Sequence, residues 1–128
     1  MNYGFGTDGA ASSNTLNPVE QARLFGLMGK YQERNSAAYT ATEIWQHLMA
    51  SHQAFPFGSG RLKEGAPADL VIWDLYQPDT FPFYSPISAI LYSSNSQNVK
   101  YTMVAGEFLK YNGKLKIDTK IFFFSTLS

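Results

Sequence analysis

Asp8 stands alone as an acidic residue in the stretch "GFGTDGAASSNTLN", residues 4–17. A short apolar run closed by Gly6 precedes it and turn-forming residues follow, so we predict that Asp8 lies on a loop leaving a strand. Such a carboxylate can ligate a divalent cation or hold a water for attack, because flanking glycines allow close approach. It can also accept backbone hydrogen bonds in an Asx turn. Taken alone, the local pattern favours the turn.

The two histidines, His47 and His52, fall five residues apart on one predicted helix. At 3.6 residues per turn, their side chains point about 140° apart around the helix axis. This spacing does not suit two ligands of one metal ion. We therefore expect His52 to pack beside Trp45 and Met49, and His47 to be solvated.

The composition narrows the class of protein. A chain of 128 residues has the size of one domain, and ten Lys plus Arg balance ten Asp plus Glu, so charge attracts neither nucleic acid nor anionic lipid. There is no cysteine, which fits a reducing compartment, and neither a signal peptide nor a membrane span is visible. We expect a cytoplasmic protein without nucleic-acid or membrane partners. Aromatic residues make up 16% of the chain, the same share as charged residues, which favours self-association.

Two helices are predicted by their start signals. Asn17 can cap the first helix, which continues through residues 18–34, with Glu20 three residues after the cap. Thr40 and Glu43 form a second capping box before an amphipathic helix over residues 41–53. In the first helix, Gly26 and Gly29 would permit another element to approach closely. One stripe of the second helix is expected to carry Ile44, Trp45, Leu48, Met49 and His52.

Beyond residue 60 the pattern changes to strands. We predict a buried strand in residues 68–75, another strand in residues 88–94, and hairpins in residues 101–117 that turn near Ala105 and at Asn112. Pro56, Gly58 and Gly60 mark the one plausible internal boundary, which divides the chain into residues 1–58 and 59–128.

Six segments occur in the order of a known family pattern. They are "GTDGAASSNTLN", "VEQARLFGLMGK", "TATEIWQHLMA", "GSGRLKEGAPADLVIWDL", "SPISAILYSS" and "VKYTMVAGEFLKYNGKL". Together they resemble the C-terminal part of the amidohydrolase superfamily, in the branch of methylthioadenosine or adenosylhomocysteine deaminases and related chlorohydrolases. The run in residues 60–74 resembles the turn back into the family's small β domain, and the hairpin at Gly106 resembles its closing strands.

The resemblance implies an α+β fold. Residues 1–58 would be the remnant of the last strand and helices of a metal-dependent-hydrolase TIM barrel. Residues 59–128 would be the C-terminal part of the small composite β domain.

The resemblance also implies a role for Asp8. The family's aspartate in "GTDG" follows the eighth barrel strand, where it ligates zinc or iron and helps move a proton from the attacking water. The resulting hydroxide attacks a heterocycle carbon and expels ammonia or chloride. Ser13 stands where the family commonly has asparagine. The residues that would shape this loop are Gly6, Thr7, Gly9, Ser12 and Asn14.

The family's other metal ligands, several histidines and a catalytic glutamate, precede the region of resemblance, and neither His47 nor His52 matches one. We therefore expect the C-terminal third of a hydrolytic deaminase or chlorohydrolase, as an engineered segment, a truncated gene or one piece of a split enzyme. Alone it is expected to bind no metal and to be inactive. The alternative is a non-catalytic structural or oligomerisation module.

Two kinds of partner follow from these expectations. One is the missing N-terminal part of the enzyme. The other is a second copy of the chain, in a homo-oligomer that covers apolar faces around Trp45, Trp73 and residues 122–124.

Overall fold

Three helices precede the sheet in the part of the chain that the computed structural model describes, residues 3–53 and 60–116. They are α1 (Ala10–Ser13), α2 (Pro18–Gln32) and α3 (Ala41–Gln53). Both predicted long helices are therefore confirmed, although α2 ends two residues before its predicted end.

The cap of α2 forms as predicted, with one difference. The Asn17 side chain accepts hydrogen bonds from the backbone N–H groups of Val19 (3.1 Å) and Glu20 (3.4 Å). Glu20 accepts a hydrogen bond from the Thr15 hydroxyl at 3.0 Å, and the Thr15 oxygen accepts one from the Asn17 N–H at 3.1 Å. The capping box thus closes through Thr15, because this hydroxyl both donates to the carboxylate and accepts from the backbone.

The cap of α3 is the predicted box. Glu43 accepts hydrogen bonds from the Thr40 backbone N–H at 2.8 Å and from the Thr40 hydroxyl at 2.7 Å. The Glu43 N–H donates in return to the Thr40 hydroxyl oxygen at 3.3 Å.

The two long helices pack through a small core, in which Ala22, Ile44, Leu48 and Leu91 are buried. Gly26 makes this packing possible, because a Cβ atom there would lie 2.6 Å from Ile44 Cδ1. The close approach predicted from the helix glycines is confirmed.

The prediction of a strand in residues 88–94 is wrong. This segment forms α4 (Pro86–Ser88), which continues directly as a π-helix (Ala89–Ser93). Ser85 caps it by accepting a hydrogen bond from the Ser88 N–H at 3.3 Å, and Pro86 occupies the first turn. Helical winding places Leu91 in the core formed by α2 and α3, and this tertiary contact outweighs the strand propensity of the apolar run.

The remaining elements form one antiparallel sheet in the order β1-β2-β3-β4. Its strands are β1 (Leu70–Trp73), β2 (Val99–Val104), β3 (Glu107–Tyr111) and β4 (Lys114–Leu115). The predicted turns are confirmed, since Ala105, Gly106, Asn112 and Gly113 all have positive φ, as two-residue hairpin loops require.

Strand β1 is not buried as predicted, because Val71 is 52% exposed and Ile72 is 50% exposed. Its apolar sequence is typical of a strand that is covered on both faces of its sheet. In the described chain, β1 hydrogen-bonds only to β2, along one edge.

The predicted strand at the start of the chain is also absent, since residues 3–6 have no regular secondary structure. A strand needs a hydrogen-bonded neighbour, and the described residues supply none beside this segment.

No helix within residues 3–53 and 60–116 is long and apolar enough to cross a membrane. The proposed boundary between residues 58 and 59 lies outside the described residues and stays a prediction.

Candidate functional site

The Asp8 loop follows directly from an extended segment. Asp8 is exposed and adopts φ +56°, a left-handed conformation that is uncommon for residues other than glycine. Its Oδ1 accepts a hydrogen bond from the Gly9 N–H at 2.7 Å, and its carbonyl accepts one from the Thr7 hydroxyl at 3.2 Å. The side-chain bond reaches the next residue, not the second residue on, so it is local but differs from an Asx turn.

The loop then winds into α1 and turns again. The Gly9 carbonyl accepts a hydrogen bond from the Ser12 N–H at 2.9 Å. Asn14 has φ +57°, which ends this turn and directs the chain towards Thr15 and the cap of α2. The side chain of Ser13 lies outside the described set.

Most of the predicted loop residues are exposed. Gly6, Gly9, Ser12 and Asn14 are exposed with Asp8, and Thr7 is half-buried. Adding a Cβ atom at Gly6 or Gly9 would meet nothing within 4 Å, so the space beside this loop is open on the described chain.

The described residues do not form a complete metal centre. Within residues 3–53 and 60–116, no three His, Cys, Asp or Glu side chains gather where they could hold a metal ion. Zinc in proteins takes three or four protein ligands. Asp8 can contribute one carboxylate, and the residues described here do not fit a bound metal by themselves.

An aromatic cluster holds the segment that leads to Asp8. Tyr3 lies 5.8 Å from Phe5 and 5.3 Å from Phe25 of α2, measured between ring centroids, and Phe5 lies 5.4 Å from Phe25. Burial is the main cause that raises the pKa of Tyr3, with further contributions from Tyr39 and Glu43. The ring contacts of Tyr3 and Phe5 with Phe25 hold the segment against the helices.

His47 belongs to this cluster, so the prediction that it is solvated is wrong. Its ring is half-buried and stacks on Tyr3, with centroids 3.7 Å apart and planes inclined by 16°. Its Nδ1 lies 3.1 Å from the Tyr3 carbonyl oxygen. The sequence correctly predicts His47 on the helix but does not indicate which segment crosses that face. The side chain of His52 lies outside the described set.

A shallow cleft of about 490 Å³ opens beside these rings, between the end of α2 and the start of α3. Its lining includes Tyr3, Tyr39, Glu33, Glu43 and His47. Lys30 donates to the Ala38 carbonyl at 2.5 Å and to the Tyr39 carbonyl at 2.7 Å, which shapes the connection between the helices.

Arg23 joins the helices to the π-helix and was not singled out from the sequence. Its Nε donates to the Leu91 carbonyl at 2.6 Å, and its Nη2 donates to the Ser94 carbonyl at 2.5 Å. These carbonyls lie at a helix end, where they lack intrahelical partners. A basic residue on α2 gives no sign of this role, because its partners lie about 70 residues away along the chain.

The fold and loop described above match a known class of protein. The family model of the amidohydrolase family matches residues 1–109. The chain belongs to the amidohydrolase family.

Three similar proteins illustrate the relationship. A 5-methylthioadenosine/S-adenosylhomocysteine deaminase of Caldicellulosiruptor saccharolyticus is 38% identical over 117 residues, which cover 90% of this chain and 27% of that protein. The crystal structure of an adenosine deaminase from Xanthomonas campestris with bound zinc superposes with TM-score 0.89 and 26% identity, covering 99% of this chain and 30% of the other. Atrazine chlorohydrolase from Arthrobacter aurescens, complexed with zinc, superposes with TM-score 0.85 and 25% identity, covering 99% and 29%.

The comparisons confirm the predicted family and its deaminase and chlorohydrolase branch. The chain spans about 27% of the length of the curated relatives it matches. The mixed helical and antiparallel segment described here is therefore a partial segment of the amidohydrolase fold.

Proposed function

We propose that this chain is the C-terminal part of a metal-dependent amidohydrolase that acts as a hydrolytic deaminase or chlorohydrolase on heterocycles such as adenosine-type nucleosides. The single observation that carries the proposal is the superposition of 99% of the chain on a zinc-bound adenosine deaminase with TM-score 0.89. The 38% identity to a methylthioadenosine deaminase supports the same substrate class.

Asp8 is the residue of this chain that takes part in the proposed reaction. Its carboxylate is exposed on a loop with open space beside it, where a further layer of protein and a substrate can approach. In this role Asp8 would contribute one ligand to a zinc or iron ion and would accept a proton from the attacking water. Gly6, Thr7, Gly9, Ser12 and Asn14 shape the loop around it.

The remaining ligands in this proposal come from outside the described residues. A bound divalent metal would lower the pKa of its water and so supply the nucleophile. Since the described residues offer no set of three ligands, the chain alone is expected to be inactive.

A chimera tests the proposal. The matching C-terminal region of the Caldicellulosiruptor deaminase is replaced by this chain, and ammonia release from 5′-methylthioadenosine is measured together with zinc content. We expect zinc-dependent ammonia release from the chimera. Asp8→Asn should lower kcat by at least about 10²-fold, because it removes both a ligand and a proton acceptor.

Glu107→Gln is the matched control, since Glu107 is an exposed acid on β3. It should leave kcat unchanged. A folded, zinc-loaded chimera that releases no ammonia, or one that is equally active with Asn at position 8, would contradict the proposal.

A second candidate function, an assembly module without catalysis, is favoured by a specific surface. The outer face of α2 exposes Leu24, Leu27, Met28 and Tyr31, and Tyr31 is 87% exposed. Three of these residues line a groove of about 470 Å³. This exposed apolar surface supports the assembly-module proposal, because extended apolar patches are commonly covered by a partner.

A further inference from the structure

The segment that leads into the Asp8 loop is not supported by backbone hydrogen bonds of a sheet in the described chain. Residues 3–9 have no regular secondary structure, and no sheet of the described residues includes them. A residue that must hold a reacting group needs a rigid support, because a displacement of about 1 Å can cost about 10²-fold in rate.

The exposure of the segment alternates along the chain. Tyr3 and Phe5 are half-buried against the helices, whereas Gly4 and Gly6 are exposed. This alternation is that of an extended chain with one side against the helices. The contacts of its inward side chains therefore decide in which direction the chain enters the Asp8 loop.

Phe5 packs against the helical core and makes edge contacts with Phe25 and Tyr3. Tyr3 is held differently, because His47 contacts both its side chain and its backbone. The rings stack 3.7 Å apart, and Nδ1 lies 3.1 Å from the Tyr3 carbonyl oxygen. A carbonyl oxygen only accepts hydrogen bonds, so Nδ1 must carry the proton.

The two contacts differ in what they fix. Stacking positions the Tyr3 ring, which can still rotate about the bonds that link it to the backbone. The hydrogen bond fixes the peptide group itself, and α3 supplies a rigid base for the donor, because Ile44 and Leu48 on that helix are buried in the core.

We propose that His47 is a positioning residue, whose Nδ1–H bond to the Tyr3 carbonyl fixes the path of residues 3–8 and thereby the place of Asp8. The link to catalysis rests on the proposed function above. The effect of His47 on the path of residues 3–8 does not depend on that function.

The first experiment measures ¹⁵N relaxation of the full chain. Rigid backbone amides have order parameters of about 0.85, and flexible ones fall below about 0.6. His47→Phe retains an aromatic ring for stacking but removes the donor, and we expect the order parameters at residues 5–9 to fall into the flexible range. His47→Asn places an amide N–H close to the position of Nδ1, and we expect it to retain the rigid values.

Gln46→Asn is the control for helix propensity, because residue 46 is the exposed neighbour on α3 and its replacement costs more propensity than either change at residue 47. Amides of β2 and β3 serve as an internal reference. The proposal is overturned if His47→Phe leaves residues 5–9 rigid, if His47→Asn is as mobile as His47→Phe, or if β2 and β3 loosen to the same extent.

The second experiment repeats both variants in the deaminase chimera. We expect His47→Phe to lower kcat by about tenfold or more with KM little changed, and His47→Asn to restore it. An active chimera that tolerates His47→Phe with full kcat would overturn the link to Asp8. A chimera inactive with the unaltered chain would instead count against the proposed function, and the relaxation data would still decide whether His47 positions the segment.

Discussion

At the scale of single residues, Asp8 carries its carboxylate on a backbone in a strained, left-handed conformation. Its φ of +56° costs a non-glycine residue about 1–2 kcal/mol relative to the right-handed regions. Strain of this kind persists where the surroundings or a function require it. Any residue other than glycine at this position therefore carries a backbone cost that glycine avoids.

The backbone contribution can be separated from the carboxylate by comparing two variants that both lack it. We predict that Asp8→Gly is more stable to unfolding than Asp8→Ala by about 1 kcal/mol, because glycine adopts positive φ without steric cost. Urea unfolding of both variants measures this difference.

Asp79 provides the control site, because it is an exposed aspartate whose φ is not positive. There the order should reverse, with the alanine variant more stable by about 0.4–1 kcal/mol. If alanine is also the more stable variant at position 8, the strain assigned to Asp8 is wrong.

At the scale of secondary-structure elements, the two long helices are defined by their caps and by the contact between them. Gly26 allows Ile44 to approach α2, and Arg23 connects α2 to the π-helix through two carbonyls. The start of α3 depends on an ionised group, since the capping box uses the Glu43 carboxylate as an acceptor.

This dependence predicts an acid-sensitive contribution to stability. Hydrogen bonds from the Thr40 hydroxyl, and then from its backbone N–H, lower the pKa of Glu43 from its ordinary value of 4.5. A carboxyl whose pKa is lower in the folded state stabilises the fold above its unfolded pKa, and this contribution is lost as the pH falls through the folded pKa. We therefore predict that the stability difference between the unaltered chain and Glu43→Gln is largest near neutral pH and shrinks below pH 4.5.

Thermal unfolding between pH 7 and pH 3 measures this difference. Glu64→Gln, at an exposed loop position, should match the unaltered chain throughout. A difference for Glu43→Gln that stays constant across the pH range would show that the carboxylate does not act through its charge.

At the scale of the whole molecule, the described chain has more apolar surface than its core can cover. The helical core contains four buried residues, whereas α2 and the sheet both carry exposed large apolar side chains. Of the faces expected from the sequence, Trp45 is partly buried against the core, and Val71 and Ile72 beside Trp73 are exposed. The outer face of α2 adds an exposed apolar surface that the sequence did not indicate. Residues 122–124 lie outside the described residues.

We predict that the purified chain forms a dimer or larger assembly at micromolar concentration, because covering apolar surface is favourable. Leu27→Glu places a charge in the groove on α2 and should shift the population towards monomer. Native mass spectrometry and light scattering measure the oligomeric state of the unaltered chain and of the variant.

Gln46→Glu adds the same charge at an exposed polar position of α3 and should leave the assembly unchanged. A monomeric unaltered chain would argue against self-association and against the assembly-module alternative. A zinc ion bound in stoichiometric amount by the oligomer, and lost in Asp8→Ala, would indicate that association completes a ligand set.

The helix caps, the hairpin turns and the family could all be predicted from the sequence. Caps at Asn17 and Thr40 and the turn at Asn112 depend on residues within a few positions of one another, so their types are sufficient to predict them. The ordered motifs likewise identified the amidohydrolase family, because each is a short local pattern.

Contacts between distant segments became visible only in the folded chain. The tertiary structure showed that residues 88–94 are helical, that β1 is half exposed and that residues 3–6 form no strand, because each outcome depends on which neighbour is present. It also brought His47 against Tyr3, 44 positions away in the sequence. Local propensity carries no information about such a contact, since side chains that are far apart in sequence meet only once the chain has folded.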